Sequence, residues 1–157
     1  MGEKFRRSYA LVRPTEELFA NFYRYQGFDV AMNDDYRYDL VLSKNGRVVT
    51  TIEIKEQFKI DRWQAALVEY MNRGKPSGIA ATLSKHWIEV LHFGDIIKYY
   101  ITETENIKHL IREERYLDKI KGGDDKQSNL YKFNIDVYTS IFKPATQFLE
   151  YKKMRGI

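Results

Sequence analysis

Three side chains in this sequence have the types and spacing for phosphate chemistry: Asp39 in Tyr38-Asp39-Leu40-Val41-Leu42, and Glu53 and Lys55 in Thr51-Ile52-Glu53-Ile54-Lys55-Glu56-Gln57. Both stretches read as β-strands. Side chains alternate along a strand, so Glu53, Lys55 and Gln57 share one face while Ile52 and Ile54 take the other. Charges are rarely placed in apolar strands unless they are used. Two carboxylates held together can bind a hard divalent cation such as Mg²⁺, and a neighbouring lysine can orient water or stabilise charge growing on a phosphate. The chemistry this suggests is metal-assisted hydrolysis of a phosphodiester.

Hairpin parity decides whether the two acids can meet. A two-residue Asn45-Gly46 turn pairs Lys44 with Arg47 and sets Ile52 opposite Asp39, which turns Glu53 to the wrong side unless a bulge intervenes. A three-residue Lys44-Asn45-Gly46 loop instead pairs Asp39 with Thr51 and makes Glu53 its same-face diagonal neighbour. The second arrangement is the expectation, with Gly46 in the left-handed conformation.

The positioning elements follow from punctuation and periodicity. Pro14 and Thr15 before Glu16 and Glu17 predict a helix start with Thr15 as N-cap, and Leu18, Phe19, Phe22 and Tyr23 form its apolar stripe up to Gly27. A short strand is expected over 28–32, then the hairpin. A helix from Asp61 to Arg73 is expected to turn Trp63, Ala66, Leu67 and Tyr70 inward, with strands over 79–83, 87–93 and 96–101. A helix over 105–121 is predicted next, then a polar loop, a strand over 130–137 and an irregular or helical tail.

The order helix, three strands, helix, strand, with an acid on the first helix, Asp39 on the second strand and Glu53-Ile54-Lys55 on the third, resembles the PD-(D/E)xK nuclease superfamily. The hairpin is most similar to that of archaeal Holliday-junction resolvases, and Arg73-Gly74-Lys75-Pro76-Ser77-Gly78-Ile79 through Thr82 and Trp87 to a segment of small phage-encoded nucleases. Tyr38 stands where the motif's proline would be. The resemblance spans roughly 14–101 and implies a restriction-endonuclease-like α/β core, a central mixed sheet flanked by helices, with a C-terminal helix and extension over 102–157. It implies that Asp39, Glu53 and the Ile54 carbonyl hold Mg²⁺, with Mn²⁺ able to substitute, and that Lys55 positions the attacking water. A glutamate on the first helix often completes such a site. Glu16 lies nearer the apolar face than Glu17 and is the expected one, while Gln57 is expected to contact a phosphate or a metal-bound water.

Composition narrows the remaining choices. A chain of 157 residues, 43% apolar and 15% aromatic, fits one domain with a real core. With no cysteine, disulfide frameworks and thiolate zinc sites are excluded. Glu3-Lys4-Phe5-Arg6-Arg7 is followed by no apolar signal core, and no run is long enough to span a membrane, so an intracellular, cytoplasmic protein is expected. A net charge of +4 and a pI near 9.1 suit a polyanionic partner. Arg37, Lys59 and Arg62 flank the acids, and Lys108, Arg112, Arg115 and Lys119 would form a basic stripe on the predicted later helix. His86, His92 and His109 lack metal-ligand spacing.

The leading expectation is a Mg²⁺-dependent DNA endonuclease with no small-molecule cofactor, phage-encoded, with host defence and phage replication, repair or recombination left open as its role. Resolution of branched DNA by a homodimer is the alternative enzyme, and a nucleic-acid-binding or assembly module that does not use the metal is the alternative of another class.

Overall fold

The structure, a computed structural model, describes residues 3–33, 38–123 and 126–157, with side chains from Pro14 onward. Helix α1 (Glu3–Tyr25) is followed by β1 (Asp29–Met32), β2 (Leu40–Lys44) and β3 (Arg47–Gln57). A single turn of helix, α2 (Ile60–Trp63), leads into β4 (Ala65–Asn72), the two-residue β5 (Lys75–Pro76) and a 3₁₀ turn at Gly78–Ala80. The chain continues as β6 (His86–Phe93), β7 (Ile96–Glu103), α3 (Thr104–Arg112), β8 (Asp118–Gly122) and β9 (Ser128–Asn134). Finally come α4 (Ile135–Thr139), β10 (Lys143–Pro144) and α5 (Thr146–Arg155).

Two sheets result. The larger is mixed, in the order β1-β2-β3-β6-β7-β10, with β3 and β6 parallel and the other neighbours antiparallel. The smaller, β5-β4-β9-β8, is antiparallel throughout. This is the α/β class expected, with helices beside a central mixed sheet. On one face of the large sheet, Leu40, Leu42, Ile52, Ile54, Ile88 and Val90 pack against Phe19, Ala20 and Phe22 of α1 and Phe148 and Tyr151 of α5. The Phe19 and Phe148 rings stack with centroids 3.9 Å apart. The other face turns Trp87 and Leu91 toward Ala66, Val68 and Phe133 of the small sheet, Ile107 and Leu110 of α3 and Tyr138 of α4.

Several elements differ from expectation. Helix α1 begins upstream of Pro14, which lies inside it, so Thr15 is not its N-cap and Glu16 and Glu17 are not first-turn acids. The Thr15 hydroxyl instead donates to Glu56 Oε1, 2.7 Å away on β3. Gly27 does end the helix: at φ +98° it sits in the left-handed region, where the lack of a Cβ removes the steric penalty. The Gly27 and Phe28 amides then reach back to the carbonyls of Arg24 and Tyr23, at 3.0 and 3.1 Å.

The largest correction concerns residues 61–73, where the predicted helix shrinks to α2 and yields to strand β4. Gln64 at φ +51° stops the helix after one turn, and Ala65 to Asn72 pair with β9. Trp63, Ala66, Leu67 and Tyr70 fit helical spacing, but Ala66, Val68 and Tyr70 fit strand alternation equally well in so short a window. A partner strand some sixty residues downstream decided between them. The order α-β-β-β-α-β is met by α1, β1, β2, β3, α2 and β4, but α2 is a single turn and β4 belongs to the second sheet, so the parallel β3–β6 pair is joined through one helical turn and part of that sheet. Residues 79–83 form a 3₁₀ turn and loop rather than a strand, and the helix expected over 105–121 ends at Arg112, with Glu114 left-handed and β8 beginning at Asp118.

Candidate functional site

The hairpin sets the acids by an arrangement other than the one expected. Asn45 and Gly46, at φ +53° and +76°, make a two-residue turn that pairs Lys44 with Arg47. The register then shifts: Ser43 pairs with Val48 but Leu42 with Thr50, leaving Val49 as the extra residue of a bulge. Beyond it Leu40 faces Ile52, and Asp39, just outside the ladder, stands beside Ile52 to Ile54 with its charge felt by Glu53. The three-residue loop is thus corrected, while the parity requirement behind it is met by the bulge.

Backbone contacts fix Asp39. Its N–H donates to the Ile52 carbonyl at 2.9 Å, and its carboxylate Oδ2 accepts the Ile54 N–H at 2.7 Å. A strand residue's N–H and C=O face the same neighbour, so the Ile54 carbonyl leaves β3 on the Asp39 side. Glu53 is 5% exposed. Its Oε1 lies 3.2 Å from the Lys55 ammonium, whereas Oε2 is buried without a hydrogen-bond partner. Burial pushes the Glu53 carboxyl up to about 7 and the charge of Asp39 adds to the rise, while Lys55 works against it. The nearby Thr82 hydroxyl also favours the charged form without satisfying Oε2. Burial works to lower the Lys55 pKa, yet the charges of Glu53, Asp39 and Glu69 hold it above its ordinary value. The Lys55 side chain remains 41% exposed, so it stays a cation within reach of solvent.

Asp39, Glu53 and Lys55 are therefore brought together. Among the described residues no group of three or more His, Asp or Glu side chains could hold a metal, so Glu16 does not join the pair. Its neighbour Thr15 binds Glu56, on the opposite face of β3 from Glu53. Glu56 also meets His92 Nε2 at 2.6 Å, a brace between β3 and β6 under α1. The donors present still suit a hard cation: two neighbouring carboxylates, one with an unsatisfied buried oxygen, and a backbone carbonyl directed to the same side.

Gln57 is not free to meet a phosphate. Its Oε1 accepts the Leu67 N–H at 2.9 Å and its Nε2 donates to the Leu67 carbonyl at 3.2 Å and to Glu89 Oε1 at 3.0 Å. The side chain thus fastens the large sheet to β4. Glu89, 1% exposed, was missed although an acid inside Trp87-Ile88-Glu89-Val90-Leu91 carries the same signal that marked Glu53. Burial lifts its carboxyl to about 7 against donation from Gln57, Trp87 and Tyr138. The Tyr138 hydroxyl donates to Oε2 at 3.1 Å and Trp87 Nε1 at 3.4 Å.

The basic residues are dispersed. Arg37 lies outside the described residues. Lys59 stands 5.3 Å from the centroid of the Trp63 ring, and Arg62 is exposed on α2. Lys108 and Arg112 lie on α3, but Arg115 is in the turn after it and Lys119 on β8, over the rings of Tyr116 and Tyr131. The expected helical stripe does not exist, because the helix ends before it is complete. Between the sheets, a cleft of about 400 Å³ is lined by Lys55, Phe58, Lys59, Trp63 and Glu69 among others. No helix among the described residues is long and apolar enough to cross a membrane.

The chain matches no protein-family model and no curated protein sequence. Among solved structures it is similar to a nuclease from a fusselovirus, with 19% identity, a TM-score of 0.48 and coverage of 94% of this chain and 90% of that one. A bacterial homing endonuclease is also similar, with 14% identity and a TM-score of 0.41 over 58% of this chain. The match spans 65% of that enzyme, just under two thirds of its length.

Proposed function

We propose that this protein is a metal-dependent DNA endonuclease whose centre is Asp39, Glu53 and Lys55. One observation carries the reading: Glu53 is buried near Asp39 with Oε2 unsatisfied, although a buried carboxylate oxygen without a donor is costly unless a cation completes it. Asp39, Glu53 and the Ile54 carbonyl would hold Mg²⁺ or Mn²⁺. Bound there, the ion supplies Lewis-acid stabilisation of charge on the scissile phosphate.

The chain's own groups do the rest. The Ile54 amide fixes the Asp39 carboxylate, so no reorganisation is needed when the substrate arrives. Lys55, kept cationic by the acids around it, donates to the attacking water or to a non-bridging phosphate oxygen. The water oxygen forms the new bond to phosphorus and releases its proton to bulk water as one P–O ester bond breaks, and the leaving oxygen takes a proton from bulk water.

The test is incubation of purified protein with linear, nicked, single-stranded and four-way-junction DNA, with Mg²⁺, with Mn²⁺ and with chelator. Cleavage of at least one form in either metal, abolished by chelator, is expected. DNA binding without cleavage of any form would replace the enzyme by a binding module.

A further inference from the structure

The cleft lined by Lys55 also borders an unusual surface. Directly after β3, Phe58 and Trp63 are 45% and 49% exposed, and both line that cleft. Their backbone is firmly mounted. Ile60 between them is buried in the core, the Trp63 amide donates to the Lys59 carbonyl at 3.1 Å, and the left-handed Gln64 closes the turn with a 2.8 Å bond to the Ile60 carbonyl. Phe58 stacks on His92 at 4.5 Å between centroids, and Glu56 fixes that histidine in turn. Lys59 lies over the Trp63 ring. Two large rings on a firmly held backbone and half in water forgo the burial that aromatic side chains usually obtain.

We infer that Trp63, with Phe58 and Lys59, is a stacking subsite for an unpaired nucleobase of the DNA strand being cut. This rests on the nuclease reading for the identity of its ligand. Three observations favour a base as the occupant. Phe58 and Trp63 line the same cleft as Lys55, and Phe58 follows Lys55 by three residues in the chain. The cations beside the rings, Lys59 and Arg62, match a phosphate backbone rather than an apolar peptide. Stacking on an exposed ring accepts any base, provided that its face is free. Faces within a duplex are covered by their neighbours, so the substrates singled out are single strands, flaps and forks.

Trp87 is buried and Trp63 exposed, so quenching by added DNA reports on Trp63. The experiment titrates a short oligothymidylate, and separately a blunt duplex of equal length, into protein in Ca²⁺ buffer, following fluorescence and affinity. The single strand should quench and the duplex should not. Trp63→Ala should weaken single-strand binding about tenfold, the order expected for one lost stacked base, with duplex affinity unchanged. Trp63→Phe, which keeps a ring, should lose less and should abolish the quenching. Equal quenching by duplex, equal loss of affinity for both forms, or no loss for either would overturn the subsite. So would a Trp63 signal that changes with protein concentration alone, which assigns the patch to a second copy of the chain. Quenching by single strands from a protein that cuts no DNA would sustain the subsite and remove the nuclease. Cleavage with Trp63 silent would do the reverse.

Discussion

Glu53 and Glu89 lie on neighbouring parallel strands and project from the same face of one sheet, and both are almost fully buried with carboxyls pushed up to about 7. Their surroundings differ in one respect. Glu89 is enclosed by donors, with Gln57, Trp87 and Tyr138 all turned toward it. Glu53 has the Lys55 ammonium on Oε1 and the Thr82 hydroxyl nearby, but no hydrogen bond at Oε2, and the charge of Asp39 beside it. Burial and a raised pKa therefore do not separate a structural acid from the one we propose to be functional. Completeness of hydrogen bonding does, because a satisfied carboxylate has no lone pair left for a cation or substrate.

The comparison is put at greatest risk by exchanging each acid for its amide. Glu53→Gln should lower the single-turnover cleavage rate by roughly a thousandfold, the order expected when a preorganised electrostatic partner of the transition state is lost. Its metal-free stability should hold or rise, since the repulsion with Asp39 disappears. Glu89→Gln should leave cleavage within about tenfold of wild type, because it alters only groups behind the site. Similar losses in the two variants would abolish the distinction.

A smaller effect is expected at Gln57. Gln57→Ala strips partners from both the N–H and the carbonyl of Leu67 and one donor from Glu89, so unfolding free energy should fall by about 1–3 kcal/mol. Urea midpoints measure this directly. A loss of cleavage at unchanged stability would instead return Gln57 to the phosphate-contacting role expected from sequence.

A further effect concerns pH. Folded Glu89 keeps its proton up to about 7, against an ordinary value of 4.5, so between those limits the folded state binds more protons than the unfolded. Its contribution to stability is complete below 4.5 and is lost as pH rises through about 7. Glu53 shifts in the same direction over the same interval. Glu89→Gln should flatten the decline in urea midpoint between these pH values without removing it. An unchanged slope would show that Glu89 is ionised in the folded protein across the range.

How much of this was legible in the sequence depended on how far apart the deciding residues lie. Charges inside apolar strands marked Asp39, Glu53 and Lys55, and Gly27 marked the end of α1, because those signals are local. Parity also showed that the acids need an irregularity, but a bulge at Val49 and an odd loop leave nearly the same trace, and the twist-matched Asn45-Gly46 turn favoured the bulge. Strand β4 was hidden because its partner β9 is remote. Glu89 was visible by the same rule as Glu53. What the rule could not show was that Tyr138, on α4, completes its shell.

The bulge also bears on how such a site survives changes in chain length. Thirteen residues lie between Asp39 and Glu53, one more than an unbroken hairpin with a two-residue turn would require. Excising Val49 would leave the acids face to face across a regular ladder, and paired insertions at the tip would only add rungs. The interval between the two acids is thus free to drift by single residues while their closeness is kept. A search that demands a fixed spacing between them would pass over chains with an equivalent centre, whereas one that allows the hairpin to gain or lose a residue would retain them.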